Sequence, residues 1–263
     1  MHTLLLTLAA VILSAFTTTT QSPTTNPAPT TTHHFSITHE DQHYDYVILI
    51  PQGVSKLDPA ILFLHGFGES GTDGFKQLAV GLPPAVRKDP ERWPFIIIVP
   101  QKPTFMSEWE DHETALLKML DQAATDGYIN PDKLAITGLS QGGHGSIIIA
   151  ANNPERFKAA APVCGYIERR VSPSGERLEE KGATPTDPDI IAAANALKDI
   201  PIHLFHGDID DIVPPEESRS LHQALQELDA DTQYTEYKDT NHNSWDPAYA
   251  TESLPAWFMK HMN

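Results

Sequence analysis

From Ile129 to Gly143 the chain reads INPDKLAITGLSQGG. The turn Asn130-Pro131-Asp132 opens it, and Lys133–Thr137 is an apolar run of the kind that forms a buried strand. Gly138-Leu139-Ser140-Gln141-Gly142 follows, and then an apolar helical pattern over Gln141–Ala151. Gly-x-Ser-x-Gly carries meaning only between a strand and a helix, and here it stands there. Reversing from strand to helix within one residue forces Ser140 into a strained backbone conformation. It also crowds positions 138 and 142 until side chains no longer fit. The serine hydroxyl is left standing clear of the sheet edge, and the free amides of the helix start face any negative charge forming beside it. A helix that Ser140 merely caps is the competing reading.

Outward from this turn, strands and helices alternate. Ala60–Leu64 (AILFL) and Phe95–Val99 (FIIIV) are short continuous apolar runs, the mark of strands covered on both faces. Phe35–Ile37 and Tyr44–Ile50 read as an opening hairpin. Glu113–Ala124 carries Leu116, Leu117, Leu120, Ala123 and Ala124 at helical spacing. Ala159–Val163, Ile202–Phe205 and Gln233–Tyr237 read as strands. Ile190–Leu197, Glu216–Leu228 and Ser253–His261 read as helices. Such alternation predicts an α/β fold built on an open, doubly wound, mostly parallel sheet. Residues 166–188 break the rhythm, being charged, proline-bearing and aperiodic. They read as an excursion from the sheet, either a lid or a solvated loop with Arg169, Arg170, Glu179, Glu180 and Lys181 facing water.

A serine hydroxyl attacks poorly until a base takes its proton, and the base needs an acid to orient it. His206-Gly207-Asp208-Ile209-Asp210-Asp211-Ile212-Val213-Pro214 follows one predicted strand and offers three carboxylates on the edge that carries Ser140. Asn241-His242-Asn243-Ser244-Trp245 follows the last strand and offers His242. The chain order nucleophile, acid, base matches one hydrolase architecture and differs from the chymotrypsin and subtilisin orders. Upstream, the loop LHGFGESG at 64–71 is able to bring the Phe67 amide beside that of Gln141. Two such donors stabilise an oxyanion, at about 3–4 kcal/mol each. Trp109 and Trp245 fall on loops at the same edge and are candidates for an aromatic wall against the substrate. Packing beneath the histidine loop is the alternative for Trp245.

Together these residues resemble the α/β-hydrolase superfamily. The likeness is to its dienelactone-hydrolase and phospholipase–carboxylesterase branch, with feruloyl-esterase-like and predicted-peptidase relatives. It spans Tyr44 to Met262 and rests on LHGFGESG at 64–71, VPQ ending at Gln101 and INPDKLAITGLSQGG at 129–143. NPERFKAAAPVCG at 153–165, HGDIDDIVP at 206–214 and HNSWDPAY at 242–249 complete it. The resemblance implies the α/β-hydrolase fold, Asp210 as the acid in preference to Asp208 or Asp211, His242 as the base, and Phe67 and Gln141 as oxyanion donors. Ser70 stands where an arginine is frequent in relatives. The implied reaction is two-step cleavage of short-chain or aryl carboxylic esters through an acyl-serine, needing no metal and no other cofactor. A serine peptidase of the prolyl-oligopeptidase or acylaminoacyl type uses the same triad. A lipase fits less well with an acidic surface, and a non-catalytic binding module on the same fold requires a misplaced triad member.

Composition narrows the partners. The chain has 263 residues with 18 basic and 35 acidic side chains, a net charge of −17. Such a surface repels phosphate backbones, so nucleic acid is not an expected partner. Cys164 is the only cysteine, which excludes an internal disulfide framework and a multi-cysteine zinc site. Leu4–Phe16 is apolar but shorter than the roughly 20 residues of a spanning helix. Residues 1–16 therefore read as a secretory signal peptide, and Thr/Pro-rich 17–32 as a linker, with 33–263 as the catalytic domain. The expected location is secreted or periplasmic, without stable membrane insertion once the signal is removed. The oligomeric state is not readable from the sequence.

Overall fold

The computed structural model describes residues 30–179 and 183–263. The proposed signal peptide, most of the proposed linker, and Glu180 and Lys181 lie outside the described residues. Strand β1 (Thr30–His39) begins inside the stretch read as linker and pairs along its length with β2 (Gln42–Pro51). β3 (Ala60–Leu64) and helix α1 (Leu82–Lys88) follow, then β4 (Ile96–Pro100), α2 (Glu113–Thr125) and β5 (Leu134–Leu139). Next come α3 (Gln141–Asn152), β6 (Ala159–Val163), α4 (Pro188–Leu197) and β7 (Ile202–Gly207). The chain ends with α5 (Glu216–Glu227), β8 (Thr232–Tyr237), α6 (Trp245–Ala250) and α7 (Leu254–Met262).

The eight strands among the described residues form one sheet in the order β1-β2-β4-β3-β5-β6-β7-β8. β2 runs antiparallel to β1 and β4, and β3 to β8 are parallel. Every residue of β3, β4, β5, β6 and β7 is buried, which is why these strands read as unbroken apolar runs. Alternate residues serve opposite faces. Leu62, Leu64 and Ile136 meet α2, α3, α4 and α5, while Ile61, Phe63 and Ala135 meet α1, α6 and α7. This is the α/β-hydrolase arrangement. No helix among the described residues is long and apolar enough to cross a membrane.

The topology also locates the site. The chain leaves β3 toward β4 on one side and returns to β5 on the other, so β3 and β5 flank a switch point. Ligands bind such sheets in the crevice beyond the carboxyl ends of the strands at that point. Leu64 and Gly138 are register partners there, so the loops carrying Phe67 and Ser140 leave the sheet side by side.

Candidate active site

Ser140 sits between β5 and α3 at φ +53° and ψ −117°, a conformation that side chains seldom adopt. The flanking glycines are sterically required. A Cβ on Gly138 would lie 2.2 Å from the Gly142 carbonyl oxygen, and one on Gly142 would lie 2.0 Å from that of Leu64. The Ser140 amide donates to the Val163 carbonyl at 2.9 Å, which ties the turn to β6.

The loops after β7 and β8 are pressed together by Gly207. A Cβ there would stand 2.2 Å from the Thr240 carbonyl oxygen and 2.4 Å from that of Asn241. The three carboxylates of the first loop now separate. Asp208 accepts the Thr240 amide at 3.2 Å and stitches the two loops together, and Asp211 is exposed. The Asp210 carboxylate is fully buried and accepts His242 Nδ1–H at 2.7 Å. Its other oxygen takes the amides of Ile212 and Val213, each at 2.9 Å. His242 Nε2 lies 2.9 Å from Ser140 Oγ. Because Nδ1 faces a carboxylate, Nε2 is left free to accept the serine proton.

His206, fully buried, adds a contact that the sequence did not signal. Its Nε2 faces two acceptors, the Val213 carbonyl at 2.9 Å and Asp210 Oδ2 at 3.3 Å, so that nitrogen carries the proton. Nδ1 then accepts the Ser218 hydroxyl at 2.7 Å. Burial opposes the ionisation of Asp210, but hydrogen bonds from His206, His242 and the Val213 amide outweigh it. The carboxyl is held well below its ordinary range.

Phe67 and Gln141 are each the first residue of a helical turn, where amides have no partner within the helix. Both line one cavity with Ser140 and His242. His65 fixes the Phe67 loop from below, donating from Nδ1 to the Gly66 carbonyl at 2.6 Å and accepting the Lys102 amide on Nε2 at 3.0 Å. Burial pushes its pKa down to about 3, so the ring stays neutral.

Trp109 corrects the sequence reading. It is only 1% exposed, lies edge-on to the His65 ring, and donates Nε1–H to the His65 carbonyl at 3.0 Å. It braces the Phe67 loop and does not line the cavity. Trp245 does line it, standing perpendicular to His242 with ring centroids 5.5 Å apart.

The cavity has a volume of about 660 Å³ and walls that are mainly apolar, with Phe67, Phe105, Met106, Tyr166, Val171 and Ile212 among them. Two of these walls come from the start of the excursion after β6, which is packed into the fold, whereas residues 176–179 are exposed. Val171 bridges Arg177 around a tight turn, and Tyr166, Ile167 and Val171 are buried. The buried Glu108 carboxylate accepts the Tyr166 hydroxyl at 2.9 Å, the Arg170 amide at 3.0 Å and the Val171 amide at 3.1 Å. Arg169, expected to face water, pairs with Asp111 at 2.9 Å, and Arg170 donates to the Ile212 carbonyl at 3.0 Å.

Behind this wall, His144 lies flat on the Tyr166 ring, with centroids 4.4 Å apart. Its Nδ1 faces the Tyr166 carbonyl at 3.0 Å and its Nε2 faces Glu110 at 3.2 Å, so both nitrogens find acceptors. Burial disfavours its charge, but Glu110 more than compensates and its pKa is raised.

Two groups among the described residues bring possible metal ligands within 4.8 Å of one another. In the first, Cys164, Asp210 and His242, burial drives the thiol pKa up to about 12, which leaves a protonated sulfur beside Asp210 and His242. In the second, Glu108, Glu110 and His144, the carboxylates are already engaged by the Tyr166 hydroxyl, backbone amides and Arg169. Neither donor set is arranged for an ion.

Known proteins resemble the chain as this geometry suggests. A model of the prolyl oligopeptidase family matches residues 108–263. Prolyl endopeptidase FAP of Mus musculus is 31% identical over 147 residues, 51% of this chain. The aligned region spans only 18% of that protein's length. Esterase YjfP of Escherichia coli is 26% identical over 226 residues, covering 75% of this chain and 84% of its own. The crystal structure of a thermostable esterase superposes with a TM-score of 0.69 at 26% identity, over 88% of this chain and 63% of that one.

Proposed function

The chain belongs to the prolyl oligopeptidase family, and from that premise we propose that it hydrolyses carboxylic esters through Ser140, His242 and Asp210. The observation that carries this is the unbroken pair of hydrogen bonds, Ser140 to His242 at 2.9 Å and His242 to Asp210 at 2.7 Å, at the floor of an apolar cavity. Ser140 Oγ attacks the ester carbonyl carbon as His242 Nε2 takes its proton. Asp210 holds the tautomer and stabilises the imidazolium. The oxyanion is met by the amides of Phe67 and Gln141, at about 3–4 kcal/mol per donor. His242 then gives its proton to the departing alkoxide, and water, deprotonated by His242, releases the acid from Ser140. Residues 33–263, preceded by the strand start at Thr30, form the catalytic unit, and the apolar run 4–16 supports export.

Amide cleavage is the second reading, favoured by the match to the prolyl oligopeptidase family and by the likeness to a prolyl endopeptidase. The whole chain is assayed with p-nitrophenyl acetate, butyrate and palmitate, methyl ferulate and an aminoacyl nitroanilide, with Ser140→Ala alongside. Short or aryl ester turnover that disappears in Ser140→Ala supports the esterase. Turnover of the anilide alone moves the assignment to peptidase. Ester turnover unchanged in Ser140→Ala removes Ser140 from the mechanism.

A further inference from the structure

Two phenylalanine rings stand at the mouth of the cavity, where the sequence pointed to tryptophans. Phe67 and Phe105 are 48% and 47% exposed, and their ring centroids lie 4.6 Å apart at 46°. Both line the cavity beside Ser140. Half-exposed aromatic pairs bury little of their own surface, so their contribution to folding is small for their size. Their loops carry the oxyanion machinery. Phe67 holds one donor amide on its own backbone. The Phe105 carbonyl accepts the Gln141 side-chain amide at 3.4 Å, and the Ser107 carbonyl accepts the same group at 2.9 Å. Phe105 thus touches the residues of both donors, one through its ring and one through its backbone.

We propose that the Phe67–Phe105 pair recognises a planar aromatic group on the ester, and that seating this group braces the two oxyanion donors. The inference rests on the serine-hydrolase reading and names its substrate class. A third ring packed against the pair gains about 0.5–1.5 kcal/mol beyond area burial, or roughly twofold to tenfold, which an alkyl chain of equal size does not gain.

The test uses two size-matched pairs of esters on the full chain. Methyl 3-phenylpropanoate against methyl nonanoate places the ring on the acyl side, and 3-phenylpropyl acetate against nonyl acetate places it on the alcohol side. The wild type is expected to favour the phenyl member about threefold to tenfold in kcat/KM in one pair, which identifies the side. Phe105→Leu keeps apolar bulk and is expected to bring that ratio below about twofold, with kcat for the phenyl ester falling as KM rises, and Phe105→Tyr is expected to restore it. A wild-type ratio near one in both pairs, or an unchanged ratio in Phe105→Leu, overturns the proposal. Calorimetric binding of the same esters to Ser140→Ala reads recognition without turnover. A phenyl preference there that Phe105→Leu abolishes upholds the aromatic site even if ester cleavage fails, and no preference there sinks it.

Discussion

The loops after β7 and β8 are locked to each other by part-buried hydrogen bonds, whereas the wall around the cavity is assembled from remote segments with half-exposed rings. In the first region, Gly207 allows close approach, Asp208 stitches, and Asp210 is ringed by four donors. In the second, Phe67, Phe105 and Tyr166 arrive from three different loops. The difference teaches that the Ser140–His242–Asp210 geometry is a local consequence of strand ends and glycines, while the cavity wall depends on long-range packing.

The sharpest way to break this contrast is inside the acid loop. Asp210→Asn is expected to lower kcat for p-nitrophenyl butyrate on the order of 10⁴-fold, by favouring the wrong imidazole tautomer. Asp208→Asn, which keeps an oxygen to accept the Thr240 amide, is expected to cost less than about tenfold. Equal losses would mean that the two carboxylates are not divided between chemistry and structure.

On the wall side, Glu108→Ala strands the Tyr166 hydroxyl and the amides of Arg170 and Val171. At about 1–3 kcal/mol for each buried unsatisfied group, with partial rescue by water, a loss of about 3 kcal/mol is expected in urea unfolding. A loss below about 1 kcal/mol would show that the excursion is not held by this carboxylate.

Two buried histidines sharpen the comparison through pH. His65 has its folded pKa pushed below the unfolded value by burial, to about 3. Between about 3 and 6.5 the unfolded chain binds the extra proton, so its contribution is lost as pH falls through that window. His144 has its folded pKa raised, with Glu110 overcoming the cost of burial. Its contribution is full below about 6.5 and is lost as pH rises through the folded value. The stability advantage of wild type over His144→Gln should therefore shrink on the alkaline side. Wild type should in addition show an acid-side decline that is shallower in His65→Gln. Each slope is bounded at about 1.4 kcal/mol per pH unit. Thermal melts across pH 4–9 (a range set about the ordinary histidine pKa) read both, and identical profiles would remove the assignments.

The smallest effect is expected from the hairpin tip. Replacing Ser172–Gly175 with a shorter turn leaves the triad bonds intact and should change KM for aryl esters severalfold with kcat altered less. A fall confined to kcat would place the tip in the chemistry instead.

How much of this was legible in the sequence follows the same division. β3 and β6 coincide residue for residue with the apolar runs at 60–64 and 159–163, because continuous apolarity is the direct signature of a strand buried on both faces. The structure brings Ser140, Asp210 and His242 into contact, as their positions after β5, β7 and β8 anticipated. Helices α1 and α6 were not foreseen. Both are short and carry prolines in their first turns, Pro83 and Pro84 in one and Pro247 in the other, where proline is compatible with a helix yet reads as a breaker.

Trp109 was misplaced because a loop position says nothing about burial. Its partner, the His65 carbonyl, is 44 residues away along the chain. The same holds for Tyr166 and Glu108, 58 residues apart, and for Phe105 beside Phe67. His206 carried a weak signal in opening the His-Gly-x-x-Asp pattern, but its contact with Asp210 across one tight turn appears only in three dimensions.

The proposed chemistry is tested most directly by treating the whole protein with an alkyl or aryl phosphonofluoridate and mapping the adduct by peptide mass spectrometry. A single phosphonylated residue at Ser140 is expected, formed rapidly in wild type, slowed by orders of magnitude in His242→Ala and missing in Ser140→Ala. Modification at any other residue, or labelling of Ser140 at the same rate without His242, would contradict the account.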